Sequence, residues 1–282
     1  MKHRAAGRLV IIGGSALAAA WLLVIGVMMW RENSYIFFPA RYPDAWQEPS
    51  LYNLEYEDIL LPTADGGVHG WWLPRRAGGV TILMLHGNAG HIATRLELLT
   101  FLFNMDDRIG AICIIDYPGY GRSGGTPGEA GCYRAAAATY QHLMARGISP
   151  DRLIIHGRSL GAAVALETAL HAPAAGLVME CPFLSIPRLA TELFPIPGIG
   201  LAVRQRFDNE AKMPALTMPL LLIHGDRDSV IPVRHSQRLA TIAPAPHRYL
   251  EVPGADHGDC HLVGGNRYID AWRWIIERAA GG

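Results

Sequence analysis

The chain has 282 residues, and its 25 Lys and Arg balance 25 Asp and Glu, so the formal charge at pH 7 is zero. Half of the residues are hydrophobic and 18% are charged, which supplies a sizeable core and excludes a disordered chain. No basic excess or Lys/Arg stripe marks a nucleic-acid surface, and the four cysteines are too few for a disulfide scaffold in a chain this long.

Residues 9–30, LVIIGGSALAAAWLLVIGVMMW, carry no charge. A helix rises about 1.5 Å per residue, so roughly 20 such residues cross a hydrocarbon layer. The run predicts one N-terminal transmembrane anchor within residues 1–32. Lys2, Arg4 and Arg8 precede it, while Arg31 and Glu32 follow. The positive-inside rule then places the N-terminus in the cytoplasm and the rest on the outer, periplasmic or extracytoplasmic, side. Two readings compete. A cleaved signal peptide has a shorter apolar core, about 7–15 residues, and this run continues past Ala18-Ala-Ala20 to Trp30. A buried core helix is disfavoured by the length of the run and its apolar character on every face. Residues 33–52 are aromatic and proline-bearing without helical period, and read as a connector lying against the domain or the membrane surface.

From Leu54 the pattern is two strands, LEYEDILL and VHGWWLP, and then alternation. VTILMLHG is a continuous apolar run, as expected of a strand buried on both faces. IATRLELLTFLFN reads as helix and AICIIDYPG as strand, with Cys113 a buried free thiol. EAGCYRAAAATYQHLMARG reads as helix, ended by Gly147. Further strands follow at RLIIHG, GLVMECP, PLLLIHGD and HRYLEVPG, with helices between them and a closing amphipathic helix NRYIDAWRWIIERAA. Such alternation over residues 53–282 implies a mostly parallel sheet with helices on both faces. Residues 183–215 break the rhythm with prolines and glycines among Leu, Ile and Phe. So long an insertion predicts a cap of short helices over a pocket mouth rather than a mere structural excursion.

Gly157-Arg158-Ser159-Leu160-Gly161 follows a strand and opens a helix. A tight strand–turn–helix needs small neighbours, strains the serine and points its hydroxyl outward, while the helix N-terminus offers N–H groups to developing negative charge. A serine needs a base, and the base needs orienting. Asp228, in HGDRDSVIP, and His257, in VPGADHGD, both follow strands, and the order Ser…Asp…His suits this architecture. Asp226 reads as a turn brace, and His261 lies already in the next segment. The expected oxyanion donors are the backbone N–H groups of Asn88, in LHGNAGH, and of Leu160. DYPGYGRSGG reads mainly as a structural loop braced by Asp116, with substrate contact from Tyr117 or Tyr120 as the alternative. The cluster of Asp256, His257, Asp259, Cys260 and His261 raises a metal site, but adjacent residues cannot all turn to one ion and no second ligand pair stands out. No metal and no cofactor are expected.

The motifs HGNAG, DYPGYGRSGG, GRSLG, HGDRDSVIP and ADHG, spread over roughly residues 50 to 280, resemble those of α/β-hydrolases. Their order and content are similar to the small membrane-anchored serine hydrolases with one N-terminal signal anchor. That branch is related to prolyl-oligopeptidase-type catalytic domains and to eukaryotic α/β-hydrolase domain proteins with deacylase activity. The resemblance implies Ser159 as nucleophile, Asp228 as acid, His257 as base and the amides of Asn88 and Leu160 as the oxyanion hole. The branch more often carries Arg where this chain has Pro118, which weakens substrate inference from that loop, and nothing in these residues matches the large N-terminal propeller of the oligopeptidases. The expected activity is hydrolysis of a carboxylic ester or thioester on a small-molecule or lipid-like acyl substrate. The alternatives are a peptidase or amidase on the same triad, and a membrane-tethered binding protein that reuses the fold.

Overall fold

The computed structural model describes Ser15 and residues 19–194, 196–244 and 246–281. Eight strands form the central sheet: β1 (Glu57–Thr63), β2 (Gly66–Pro74), β3 (Val80–Leu85), β4 (Ile109–Ile115), β5 (Leu153–Arg158), β6 (Gly176–Glu180), β7 (Leu220–Gly225) and β8 (His247–Val252). Their order across the sheet is β1-β2-β4-β3-β5-β6-β7-β8. The pairings β1–β2 and β2–β4 are antiparallel and the remainder parallel. Sequence patterning finds every one of these strands, most plainly the buried parallel ones β3, β5, β6 and β7, which read as largely apolar runs. All six residues of β3 are buried, and they alternate in direction. Leu83 and Leu85 enter one core, Ile82 and Met84 the other.

The helices used below are α1 (residues 19–30), α2 (Glu32–Ile36), α3 (Leu96–Met105), α4 (Glu129–Ala145), α5 (Leu160–His171), α6 (Ile186–Leu193), α7 (Ile199–Ala202), α8 (Arg234–Ile242) and α9 (Gly265–Ala280). Helices α4, α5 and α8 supply the first core through residues such as Ala135, Val164 and Leu239. Helices α3 and α9 supply the second through Leu99, Leu102 and Trp272. In α5 nine of twelve residues are buried. A helix this apolar on all sides belongs between layers, here between the sheet and α4.

Residues 183–215 fold into short helical pieces, α6 and α7 followed by single turns at Asn209–Lys212 and Met213–Ala215. The connector lies against the domain: Trp46 packs on Trp71 and His91, with ring centroids 5.3 and 5.0 Å apart. Its first residues are helical, unlike the expectation, because α2 is held by polar contacts to the cap. Of the expected anchor, residues 1–14 and 16–18 lie outside the described residues. No helix among the described residues is long and apolar enough to cross a membrane.

The join between β5 and α5 sets the tightest packing demand. A Cβ on Gly157 would lie 2.1 Å from Gly161 O, and one on Gly161 would lie 2.0 Å from Leu85 O. Gly157→Ala is expected to cost about 1–3 kcal/mol or more, as overpacking does, read as a lower urea midpoint at unchanged m-value.

Candidate active site

Ser159 stands between β5 and α5 with φ 55° and ψ −118°. This backbone region is sparsely populated by non-glycine residues. The strain is held by Ser159 N–H donating to Glu180 O at 2.8 Å and by the burial of α5. Ser159 and His257 line one cavity of about 430 Å³, within the usual range for small-molecule pockets.

Asp228 follows β7 with its side chain fully buried. Its Oδ1 accepts from the N–H groups of Val230 (2.9 Å) and Ile231 (2.7 Å). Its Oδ2 lies 2.7 Å from His257 Nδ1 and 3.0 Å from His224 Nε2. Burial raises the carboxyl pKa, but the hydrogen bonds from His224 and His257, with the Ile231 amide, outweigh it and hold the group well below the usual carboxylate range. Asp228 is therefore an acceptor, His257 Nδ1–H donates to it, and His257 Nε2 is left as the basic atom.

Two loops adjoin Ser159. A Cβ on Gly87 would lie 3.5 Å from Ser159 Cβ, which puts the loop carrying Asn88 against the serine. Asn88 lines the cavity, and its side-chain Oδ1 accepts from Phe38 N–H (3.1 Å) and Tyr120 O–H (2.9 Å). Leu160, also at the cavity, is the first residue of α5, where helical N–H groups have no partner within the helix.

The model of the alpha/beta hydrolase family matches residues 82–217. The alpha/beta hydrolase domain-containing protein WAV2 of Arabidopsis thaliana is 31% identical over 96% of this chain and 92% of its own. The chain belongs to the alpha/beta hydrolase family. Among solved structures, an esterase of Pyrococcus furiosus matches with a TM-score of 0.68 at 19% identity, covering 86% of this chain and 98% of its own. A puromycin-hydrolyzing peptidase of Mycobacterium tuberculosis matches with a TM-score of 0.64 at 21% identity, covering 82% of this chain and 40% of its own.

Around the site of this α/β-hydrolase stand braces, of which sequence reading found Asp226 and Asp116 but not Asp256 and Arg158. Asp256 Oδ1 accepts from Ser229 N–H (2.8 Å) and His257 N–H (2.7 Å), tying the acid loop to the histidine loop. Arg158, between the glycine and the serine of the elbow, donates from Nη2 to His257 O at 2.6 Å and lies 3.8 Å from the buried Glu180. Asp226 braces the neighbouring turn, accepting from Gly254 N–H at 2.6 Å. Tyr117 and Tyr120 are fully buried. Tyr117 O–H donates to His86 O at 2.9 Å and Tyr120 O–H to Asn88, so the DYPGYG tyrosines support the HGNAG loop. Asp116 accepts from Ile92 N–H at 2.9 Å, as a turn brace does.

Among the described residues, Cys181, His224 and Asp228 form the group spaced for a metal ion. Their atoms are already engaged. His224 Nε2–H points to Asp228 and to Ile231 O (2.9 Å), and Nδ1 accepts from Ser236 O–H at 2.6 Å. The four cysteines are free and buried, with Cys181 Sγ 3.8 Å from Cys260 Sγ.

The largest omission from the sequence reading is a wall of the cavity. Met28, Met29, Glu32, Tyr35, Ile36 and Phe38 all line it, although their stretch reads as anchor and connector. Glu32 explains their position. Its buried carboxylate accepts from Arg204 N–H (2.6 Å), Gln205 N–H (2.7 Å) and Arg204 Nε–H (2.9 Å), clamping α2 to the end of the cap. The available signal was a lone acid at helical spacing from the apolar Ile25, Met28, Met29 and Ile36.

Glu32→Ala leaves those buried amide donors unanswered, about 1–3 kcal/mol for each unsatisfied group. Faster hydrogen exchange is expected in residues 28–36 and 199–206, with little change in the central sheet. A second expectation concerns pH. Burial pulls His86 down from 6.5 to about 4, against the pull of Asp116. The unfolded chain therefore takes up a proton that the folded chain refuses. Stability contributed by neutral His86 is complete above pH 6.5 and falls as pH drops toward 4. Wild type should lose up to about 1.4 kcal/mol per pH unit more than His86→Gln across that window, measured by urea unfolding.

Proposed function

We propose that this chain is a serine hydrolase that cleaves carboxylic esters or thioesters through an acyl-enzyme intermediate. The observation that carries the reading is the charge-assisted pair of Asp228 and His257 at 2.7 Å, facing the same cavity as a strained Ser159. Asp228, held ionised, fixes the His257 tautomer with Nε2 toward the cavity. His257 Nε2 takes the Ser159 proton as Oγ attacks the carbonyl carbon. The oxyanion is met by the N–H groups of Asn88 and Leu160, donors worth about 2.7–4 kcal/mol each in such sites. His257 returns the proton to the leaving oxygen or sulfur, and water repeats the sequence to free the acid and Ser159. No cofactor enters these steps.

The lining favours an acyl substrate. Met28, Leu98, Phe183, Ile186 and Leu189 line the cavity that Ser159 borders, and each sheltered methylene is worth about 0.8 kcal/mol, roughly fourfold in affinity. The esterase among the similar structures supports this reading. The peptidase among them favours amide cleavage on the same triad as the second reading, which comparison of matched ester and anilide substrates separates. The uncharged run of residues 9–30 and the cations before it support membership of the membrane-anchored branch, with the catalytic domain, residues 53–282, on the outer side.

Ser159→Ala should lower p-nitrophenyl ester turnover by a factor on the order of 10⁶ and abolish labelling by a fluorophosphonate probe. Labelling retained in that variant would refute the assignment. Along a series of p-nitrophenyl acyl esters, kcat/KM should rise with chain length until the cavity is filled.

A further inference from the structure

The residues that line the cavity and are also exposed define its mouth: Met29, Tyr35, Phe38, Ala89, Leu193, Phe194 and Val230. None is charged. Next to them stand two large apolar side chains outside the cavity, Trp30 at 80% exposure and Leu201 at 91%. Leu201 lies on α7, whose Ile199 and Ala202 face the cavity. Trp30 ends α1, whose Met28 and Met29 do the same. The helix and the cap thus form one rim rich in exposed apolar side chains, joined by Arg204, which is itself exposed and donates to Met29 O at 2.9 Å. Soluble proteins rarely expose contiguous patches of this kind without a partner.

Three features of the chain indicate what the rim meets. Arg31 N–H still donates to Val27 O at 3.0 Å, so α1 runs almost without interruption into α2 and the cavity wall. In the other direction, the sequence before residue 19 stays uncharged back to residue 9 and is preceded by Lys2, Arg4 and Arg8. The helix is also fixed to the cap at two levels, by the Glu32 clamp and by Trp21 Nε1–H donating to Pro197 O at 3.1 Å. A lipid-bound helix would therefore hold the mouth at a set angle to the lipid rather than on a loose tether.

We propose that the rim formed by α1 and the cap docks on a lipid bilayer, so that an acyl chain passes from the lipid into the cavity without crossing water. The proposal rests on the acyl-hydrolase reading and adds the route of the substrate. It follows from the cost of the alternative. Each methylene drawn from lipid into water costs about 0.8 kcal/mol, so a long chain presented through an aqueous mouth would be released slowly from its membrane. An apolar mouth seated on the bilayer removes that step.

The test uses the full-length protein in phosphatidylcholine vesicles with two substrates in parallel: soluble p-nitrophenyl acetate, and a palmitoyl ester carried in the vesicle. The double variant Trp30→Glu with Leu201→Glu places charges on the rim outside the cavity. Palmitoyl ester turnover should fall at least tenfold while acetate turnover stays within twofold. Trp30→Phe with Leu201→Phe, which keeps the rim apolar, should retain both rates. A bimane label on Leu201→Cys should be quenched by nitroxide lipids. An unchanged ratio of the two rates, an equal fall in both, or an unquenched label would overturn the docking proposal. Ser159→Ala distinguishes the two levels: acetate turnover surviving in that variant defeats the hydrolase reading, whatever the rim does.

Discussion

Everything at the site depends on how closely β5 and α5 approach. Their backbones meet at Gly157 and Gly161 with no room for a methyl group on either. The chain must reverse within the intervening residues, and it does so by holding Ser159 at positive φ. Such a conformation costs of order 1–3 kcal/mol and persists only where its surroundings over-determine it. Here the surroundings are the Ser159–Glu180 backbone bond and a helix buried along most of its length. The return on that strain is positional. The serine is placed at the cavity, and Leu160, the first residue of α5, lines the same space.

The cavity lining is largely apolar, with Glu32, Arg95 and Arg158 among it, and carboxylates latch the segments around it. Asp228 gathers two histidines and two backbone amides, Asp256 joins the acid loop to the histidine loop, and Glu32 joins α2 to the cap. Each acid binds segments remote in sequence. Asp228 and Glu32 are shielded from water, and a buried charge stripped of its donors is costly, so these two latches hold their segments in one arrangement more firmly than apolar contact alone, which tolerates sliding. Arg158 works in the same manner on the opposite side of His257, with Glu180 as its counter-charge. The backbone N–H and C=O of His257 are therefore both held by charged groups, Asp256 and Arg158.

These observations mark what sequence can carry. The sheet was legible because buried parallel strands leave largely apolar runs, and the elbow was legible because close approach selects glycine at two fixed positions. The pairing of Asp228 with His257 was legible because both follow the ends of neighbouring parallel strands, whose loops meet. The latches were not. Glu32, Arg158 and Asp256 acquire meaning only from partners 172, 99 and 27 residues away, and no local pattern encodes a partner at that distance. The cap was visible as an interruption in rhythm, but its contact with the N-terminal helix was not.

The N-terminal helix shows why its sequence pointed to one role. Ile25, Met28, Glu32 and Ile36 recur at helical spacing and turn toward the protein, while Leu22, Leu23 and Trp30 are exposed. In an ordinary surface helix the outer face is polar, and the contrast between faces reveals which one is buried. Here both faces are apolar, so periodicity carries no contrast and length alone decides the reading. A helix that lines an acyl cavity on one side and contacts lipid on the other would need this composition. The uniform run that obscures the inner face is, under the proposed docking, the condition for the helix to serve both.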